Sequence, residues 1–268
     1  MKIDSLGIKT DLIFAYFSGI VTERDDYWVV KTPSNPGYHW GNFLIFKNPP
    51  QHGDCDRWPQ IFRQEFSDIE GINHVAFTWD APVPGQCIDS FEARGFELET
   101  NKILTATMVQ KPMKFNLEVE VKTIQSNDEW ESVILEQLTM NDNYEPAGFE
   151  TFKRAQAANY RKMSEAGLGN WFGAYLDGRL VADLGVFYKD DIARFQNVVT
   201  HPDFRRRGIC GRLVFEAASY ALVRFGVKNL VMVADEDYHA AAIYESVGFE
   251  SFQTQYSLAW SPRIEGQA

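Results

Sequence analysis

The chain has 268 residues, with 45% hydrophobic and 14% aromatic side chains and a formal net charge of −11 at pH 7. That length suits two domains, and the apolar content supplies a core for each, which excludes intrinsic disorder. So acidic a chain lacks the clustered cationic surface that phosphate neutralisation requires, so no nucleic-acid partner is expected.

The first segment, Met1 to Gly19, carries Asp4 and Asp11, and its longest apolar run is Leu12 to Phe17. That run is too short for a signal-peptide core or a bilayer span, so no membrane partner is expected. Cys55, Cys87 and Cys210 are widely spaced and odd in number, with no C-x-x-C. Neither a disulfide framework nor a metal site follows from them, and a cytoplasmic protein with reduced thiols is the expectation. Asn42 to Phe46 reads as a strand, and Lys47 to Asp54 as a loop holding Pro49, Pro50 and Gly53. A helix follows with Trp58, Ile61, Phe62 and Phe66 on its apolar side. His74 to Asp80 is a second strand, then comes a helix-sized segment and the sequence Phe91-Glu92-Ala93-Arg94-Gly95-Phe96-Glu97. Ile103 to Val109 is strand-like and meets a polar seam, Gln110 to Asn116, containing Pro112. Domains at 1–112 and 113–268 follow from that seam.

After the seam, Leu117 to Val121 alternates apolar and charged residues, as a half-buried strand does. Helices are predicted over Asp128 to Leu138 and Glu150 to Glu165. Trp171 to Leu176 and the run from Leu180 flank Asp177-Gly178, a strong hairpin signal. A strand from Phe195 to Thr200 leads through Pro202 into Arg205-Arg206-Arg207-Gly208-Ile209-Cys210-Gly211, and a helix runs to Phe225 with its stop at Gly226. Leu230 to Val233 is a buried strand. Asp235, Glu236 and Asp237 open a short helix to Val247, and Tyr256 to Trp260 is the final strand. Tyr244-Glu245-Ser246-Val247-Gly248-Phe249-Glu250 echoes Phe91 to Glu97 at the same place in a strand–helix–strand order, which points to internal duplication.

The strand, tight glycine turn and helix at 198–211 form a phosphate-binding arrangement. Amides at a helix start are unpaired, the helix dipole favours an anion there, and arginines beside the turn can pair with further phosphate oxygens. Neither a P-loop nor a dinucleotide fingerprint fits, because the lysine and the glycine spacing are missing.

Val198-Val199-Thr200, the His201-Pro202-Asp203-Phe204 link and the turn through Gly208 resemble the acetyl-CoA motif of the GNAT N-acetyltransferase superfamily, and Ala240-x-x-Ile243-Tyr244-Glu245-x-x-Gly248-Phe249 resembles its second signature. The resemblance covers roughly residues 117 to 260. It implies a mixed α/β GNAT acyl-CoA N-acyltransferase fold, here in tandem with a degenerate first copy lacking the cofactor turn. It implies acetyl-CoA as co-substrate, pantetheine along Val198, Val199 and Thr200, and pyrophosphate at Arg205, Arg206, Arg207, Gly208, Ile209, Cys210 and Gly211. It implies Tyr244 as the acid that protonates the leaving thiolate, no metal, and direct attack by the amine of a small molecule or peptide. Cys210 departs from the family's second Gly/Ala, and Asp237 stands where many members have Asn. Several members carry a basic Glu on the strand before the turn, where this chain has Arg194, Gln196 and Asn197. Asp183, His201, Glu236 and a water chain are the alternatives for the general base, none assigned. The competing reading is a non-catalytic acyl-CoA-binding regulatory or interaction module.

Overall fold

Side chains alternate between the faces of a strand, so the continuous apolar runs Phe43–Phe46 and Leu230–Met232, buried throughout, require cover on both faces of their sheet. The computed structural model describes residues 2–141, 145–235 and 241–262. The chain divides into Met1–Ile103 with the C-terminal stretch from Gln253, and Leu104–Phe252. The halves expected at 1–112 and 113–268 are units of sequence. The units of packing part before the Pro112 seam, and the first of them takes in the last strand.

The first unit begins with helix α1 (Leu6–Ser18), capped by the Ser5 hydroxyl, which accepts from the Ile8 amide. Strands β1 (Ile20–Glu23), β2 (Tyr27–Lys31) and β3 (Phe43–Phe46) precede helix α2 (Asp54–Glu65). Strand β4 (Val75–Trp79), the short helix α3 (Ile88–Glu92) and β5 (Glu97–Ala106) follow. The first unit's strands lie in the order β1-β2-β3-β4-β11-β5, with β11 (Glu250–Trp260) antiparallel to β4. Alternation sorts the side chains. Trp28, Val30, Phe43 and Ile45 face Ile8 and Leu12 of α1, while Val29, Leu44, Phe46 and Phe77 face Trp58 and Phe62 of α2. Trp58 stacks on Phe46 at 3.7 Å and 5°. The segment before Gly19 is thus a core helix.

The second unit orders its strands β10-β9-β8-β7-β6. These are β6 (Glu120–Thr123), β7 (Gly169–Leu176), β8 (Arg179–Lys189), β9 (Ile192–Thr200) and β10 (Asn229–Asp235). Asp177 and Gly178 both take positive φ, 50° and 79°, the I′ turn that their sequence called for. Helix α4 (Asn127–Leu138) starts at a capping box of Ser126 and Glu129. Helix α5 (Pro146–Glu165) starts one turn earlier than its apolar spacing predicts, because Glu145 caps the amides of Ala147 and Gly148 and Pro146 takes the first position. Trp171 of β7 meets Trp130 of α4 and Tyr160 of α5 on one face. On the other, Phe172 meets Tyr220 of helix α6 (Ile209–Tyr220). Helix α7 (Ala241–Val247) lies on the α6 face, its Val247 and Tyr244 in the same apolar core as Leu213 and Val214.

Candidate acyl-carrier site

Strands β9 and β10 are parallel neighbours, but only Ile192–Arg194 pair, with Asn229–Val231. Beyond Arg194 the two strands part. The cause lies in the β8–β9 ladder, whose register shifts between Asp183 and Gly185 opposite Asn197. Asn197 sits in the left-handed region at φ 48°, a conformation asparagine tolerates, and such a bulge bends the strand and adds twist. Thr200 pairs with Ala182, and the His201 amide donates to Val181 O at 3.0 Å. Alternation therefore turns the amides of Val198 and Thr200 away from β8, toward the opened side.

The turn after β9 delivers the chain to α6. A short 3₁₀ turn at Pro202–Phe204 leads to Arg206 at φ 58° and Gly208 at φ 77°. Gly208 is the N-cap of α6 and offers no side chain, so the first amides of that helix carry no side-chain cap. A Cβ on Gly208 would lie 2.9 Å from Lys114 O, so the position needs glycine for space as well as for φ. Asn116 packs beneath: its amide donates to Gly208 O at 3.3 Å and its side-chain amide to Arg207 O at 3.1 Å. Arg205 donates to Thr200 O at 3.1 Å, and Arg207 lies 3.6 Å from Glu118 and over the Phe204 ring. Arg206 is exposed with no ion pair among the described residues. A left-handed arginine costs about 1–2 kcal/mol, a strain that marks functional turns.

Cys210 lies behind this turn, where burial pushes its thiol up to about 11 and the Thr200 hydroxyl partly offsets the rise. It is a small neutral filler there. Tyr244, on α7, is 5% exposed and edge-on to Phe249 at 6.5 Å. Ala240, Glu236 and Asp237 lie outside the described residues.

The α4/α5 face holds a polar network that sequence reasoning missed. Asp183 is fully buried, and its Oδ1 accepts from Trp171 Nε1 at 2.9 Å and Gln137 Nε2 at 2.8 Å. Its Oδ2 has no partner, and burial pushes the carboxyl up to about 7. Gln137 Nε2 also reaches Asn197 O at 3.2 Å, Asn197 Nδ2 donates to Gln156 Oε1 at 2.8 Å, and Lys153 Nζ donates to Gln137 Oε1 at 3.3 Å. Both helices thereby grip the bulge that parts β9 from β10. Burial also pushes the Glu136 carboxyl up, and its Oε1 has no partner. His201, considered for a base, has both ring nitrogens engaged, by the Asp203 amide and by Arg179. A polar residue breaking an apolar strand run at Asn197 was the one visible hint.

The corresponding place in the first unit is closed. Strands β3 and β4 pair through their ends, Leu44–Phe46 with Phe77–Trp79, and the Asp80 amide donates to Phe46 O at 2.9 Å. Gly53 caps α2 at φ 89°, as Gly208 caps α6. There, however, the Asp54 carboxylate accepts from the Gln51 amide at 2.8 Å and from Arg57 at 2.9 Å, so the turn supplies its own anion.

Residues 167–251 match the family model of the acetyltransferase (GNAT) domain. The second unit carries a GNAT domain. Similar solved structures include a GCN5-related N-acetyltransferase from Kribbella flavida, at TM-score 0.66 and 14% identity over 96% of this chain and 95% of that one. A functionally unknown conserved protein from Staphylococcus epidermidis gives TM-score 0.71 and 14% identity over 93% and 96%. A tandem GNAT protein from the clavulanic acid biosynthesis pathway gives 0.54 and 14% over 96% and 89%. These likenesses concern the fold, and the tandem neighbour is consistent with a degenerate GNAT copy at the N-terminus. No curated protein matches the sequence. Within the GNAT domain, the parted strands and the turn at Gly208 are brought together, and no group of metal-ligating side chains occurs among the described residues.

Proposed function

We propose that the protein is an N-acetyltransferase that moves an acetyl group from acetyl-CoA to an amine by direct attack. The observation that carries this reading is the opening between β9 and β10 beside an uncapped α6 entered through Gly208. The residues fit an acyl-CoA: the amides of Ile209, Cys210 and Gly211 and the Arg206 guanidinium suit a pyrophosphate, and Val198 to Thr200 suit an extended amide-bearing arm. An acyl-CoA supplies an activated thioester at the opened strands. An amide there, aimed at the thioester oxygen, stabilises the charge that develops on it. Tyr244 holds the proton for the departing thiolate. Asp183 and Glu136, raised by burial, remain the carboxylates of the face opposite α6. The buried free thiols Cys55 and Cys87 suit a reducing cytoplasm.

A thiol-release assay over polyamines, aminoglycosides, amino acids and peptide N-termini tests the reading. Turnover with one amine class is expected. Tight acetyl-CoA binding with silence across the panel would favour a non-catalytic acyl-CoA-binding module.

A further inference from the structure

A cavity of about 330 Å³ lies in the first unit, and every residue lining it belongs to that unit. Its size is at the lower end of the roughly 300–1,000 Å³ of small-molecule sites. A proline in the interior of α2 shapes one wall. Pro59 has no amide hydrogen, so the Cys55 carbonyl one turn earlier has no helical donor. Arg94, which follows α3, supplies one: its Nη1 donates to Cys55 O at 2.6 Å and pairs with Asp56 Oδ1 at 2.7 Å. These bonds use both hydrogens of Nη1 and fix the guanidinium at the cavity, while Nε and Nη2 have no partner among the described residues. On the sheet side, Trp260 of β11 stands opposite Val75 of β4, so both side chains leave the same face and line the cavity beside Phe96. The half-buried Trp260 indole makes neither a ring contact nor a hydrogen bond among the described residues. Arg63, one turn after Pro59, lines the same cavity and likewise has neither a hydrogen bond nor an ion pair among them.

We propose that this cavity is a binding site for a small aromatic carboxylate. Two guanidiniums against the single Asp56 carboxylate leave the lining with one net positive charge, on a chain whose own net charge is −11. That balance suits a monoanion. The Arg63 guanidinium, with its donors uncommitted, is a planar fork that takes a carboxylate through two parallel hydrogen bonds. Pro59, Val75 and Phe96 give the cavity apolar walls, and the unpartnered Trp260 indole offers a ring an offset-stacked seat that an aliphatic chain cannot use as well. Packing of α2 on the sheet runs through Trp58 and Phe62 and makes no use of Arg63. The site draws on none of the residues assigned to acetyl-CoA, so it stands or falls separately from that reading.

Calorimetric titration of the full chain with 2-naphthoate tests the site, with 2-naphthamide as the uncharged control and cyclohexanecarboxylate as the non-aromatic one. Naphthoate should bind once per chain, the amide about tenfold or more weaker and the cyclohexane acid several-fold weaker. Arg63 is exposed, so Arg63→Gln should keep the thermal midpoint of the parent while weakening naphthoate roughly tenfold or more, the loss of a charge-assisted hydrogen bond. Trp260→Leu should weaken naphthoate more than it weakens the cyclohexane acid. Arg206→Ala, in the second unit, should leave naphthoate binding unchanged. Absence of naphthoate binding, equal affinity for the acid and either control, or affinity undiminished in Arg63→Gln overturns the proposal. Binding lost in Arg206→Ala overturns it as well, because the anion would then sit at the turn into α6.

Discussion

His39 and His74 stack in the first unit with ring centroids 4.1 Å apart, and His74 is 2% exposed with Nε2 on Asn42 O. Burial first, then the neighbouring His39, lowers His74 to about 4. A histidine lowered on folding binds more protons when unfolded, so its stability is present above pH 6.5 and is lost as pH falls toward 4. The shift corresponds to about 3 kcal/mol. Urea unfolding should therefore weaken across that window, and His74→Gln, which keeps a donor toward Asn42 O, should flatten the decline. An identical pH profile in the variant would count against the pair. Tyr244→Phe should lower kcat ~10²–10⁴-fold with acetyl-CoA affinity retained, because a leaving-group acid acts in the transition state. Turnover within a few-fold of the parent would make Tyr244 a packing residue, as its 5% exposure also permits. The turn at Gly208 was legible because it sits in a short local pattern. Lys153 and Gln137 were not, and Asp183 was visible only as one of several alternatives for a base: their network arises only when helix and strand residues far apart in sequence meet.

At the level of elements, the turn into α6 separates three arginines that look alike in sequence. Arg205 donates to Thr200 O and Arg207 lies 3.6 Å from Glu118, while Arg206 alone of the three has neither a hydrogen bond nor an ion pair among the described residues. Arg206→Ala should weaken acetyl-CoA binding roughly 10–100-fold, the worth of a charge-assisted hydrogen bond. Arg207→Ala should cost less, and calorimetry of both variants checks the order. Equal losses would mean that the turn works only as a diffuse positive field. The hairpin at Asp177-Gly178 and strands β3, β4, β7, β8, β9 and β10 follow from apolar runs and turn chemistry. The start of α5 and the bulge at Asn197 do not. One depends on a glutamate cap, and the other on Asn197, whose carbonyl accepts from Gln137 of α4 and whose side chain donates to Gln156 of α5.

On the scale of the whole chain, each unit carries a strand–glycine–helix turn, at Gly53 and at Gly208; the Asp54 carboxylate fills the first, and the second has no side-chain cap. The repeated Gly-Phe-Glu segment is the sequence signal for a duplication, with which the tandem neighbour is consistent. The prolines and acids at 49–56 argue against an anion at the first turn, and β3 and β4 pair to their ends and leave no opening there. Calorimetric titration of the intact chain with acetyl-CoA tests the central claim most directly. One site per chain is predicted, abolished by Gly208→Val and unaffected by Gly53→Ala. Two sites per chain, or a single site that survives Gly208→Val, would contradict it.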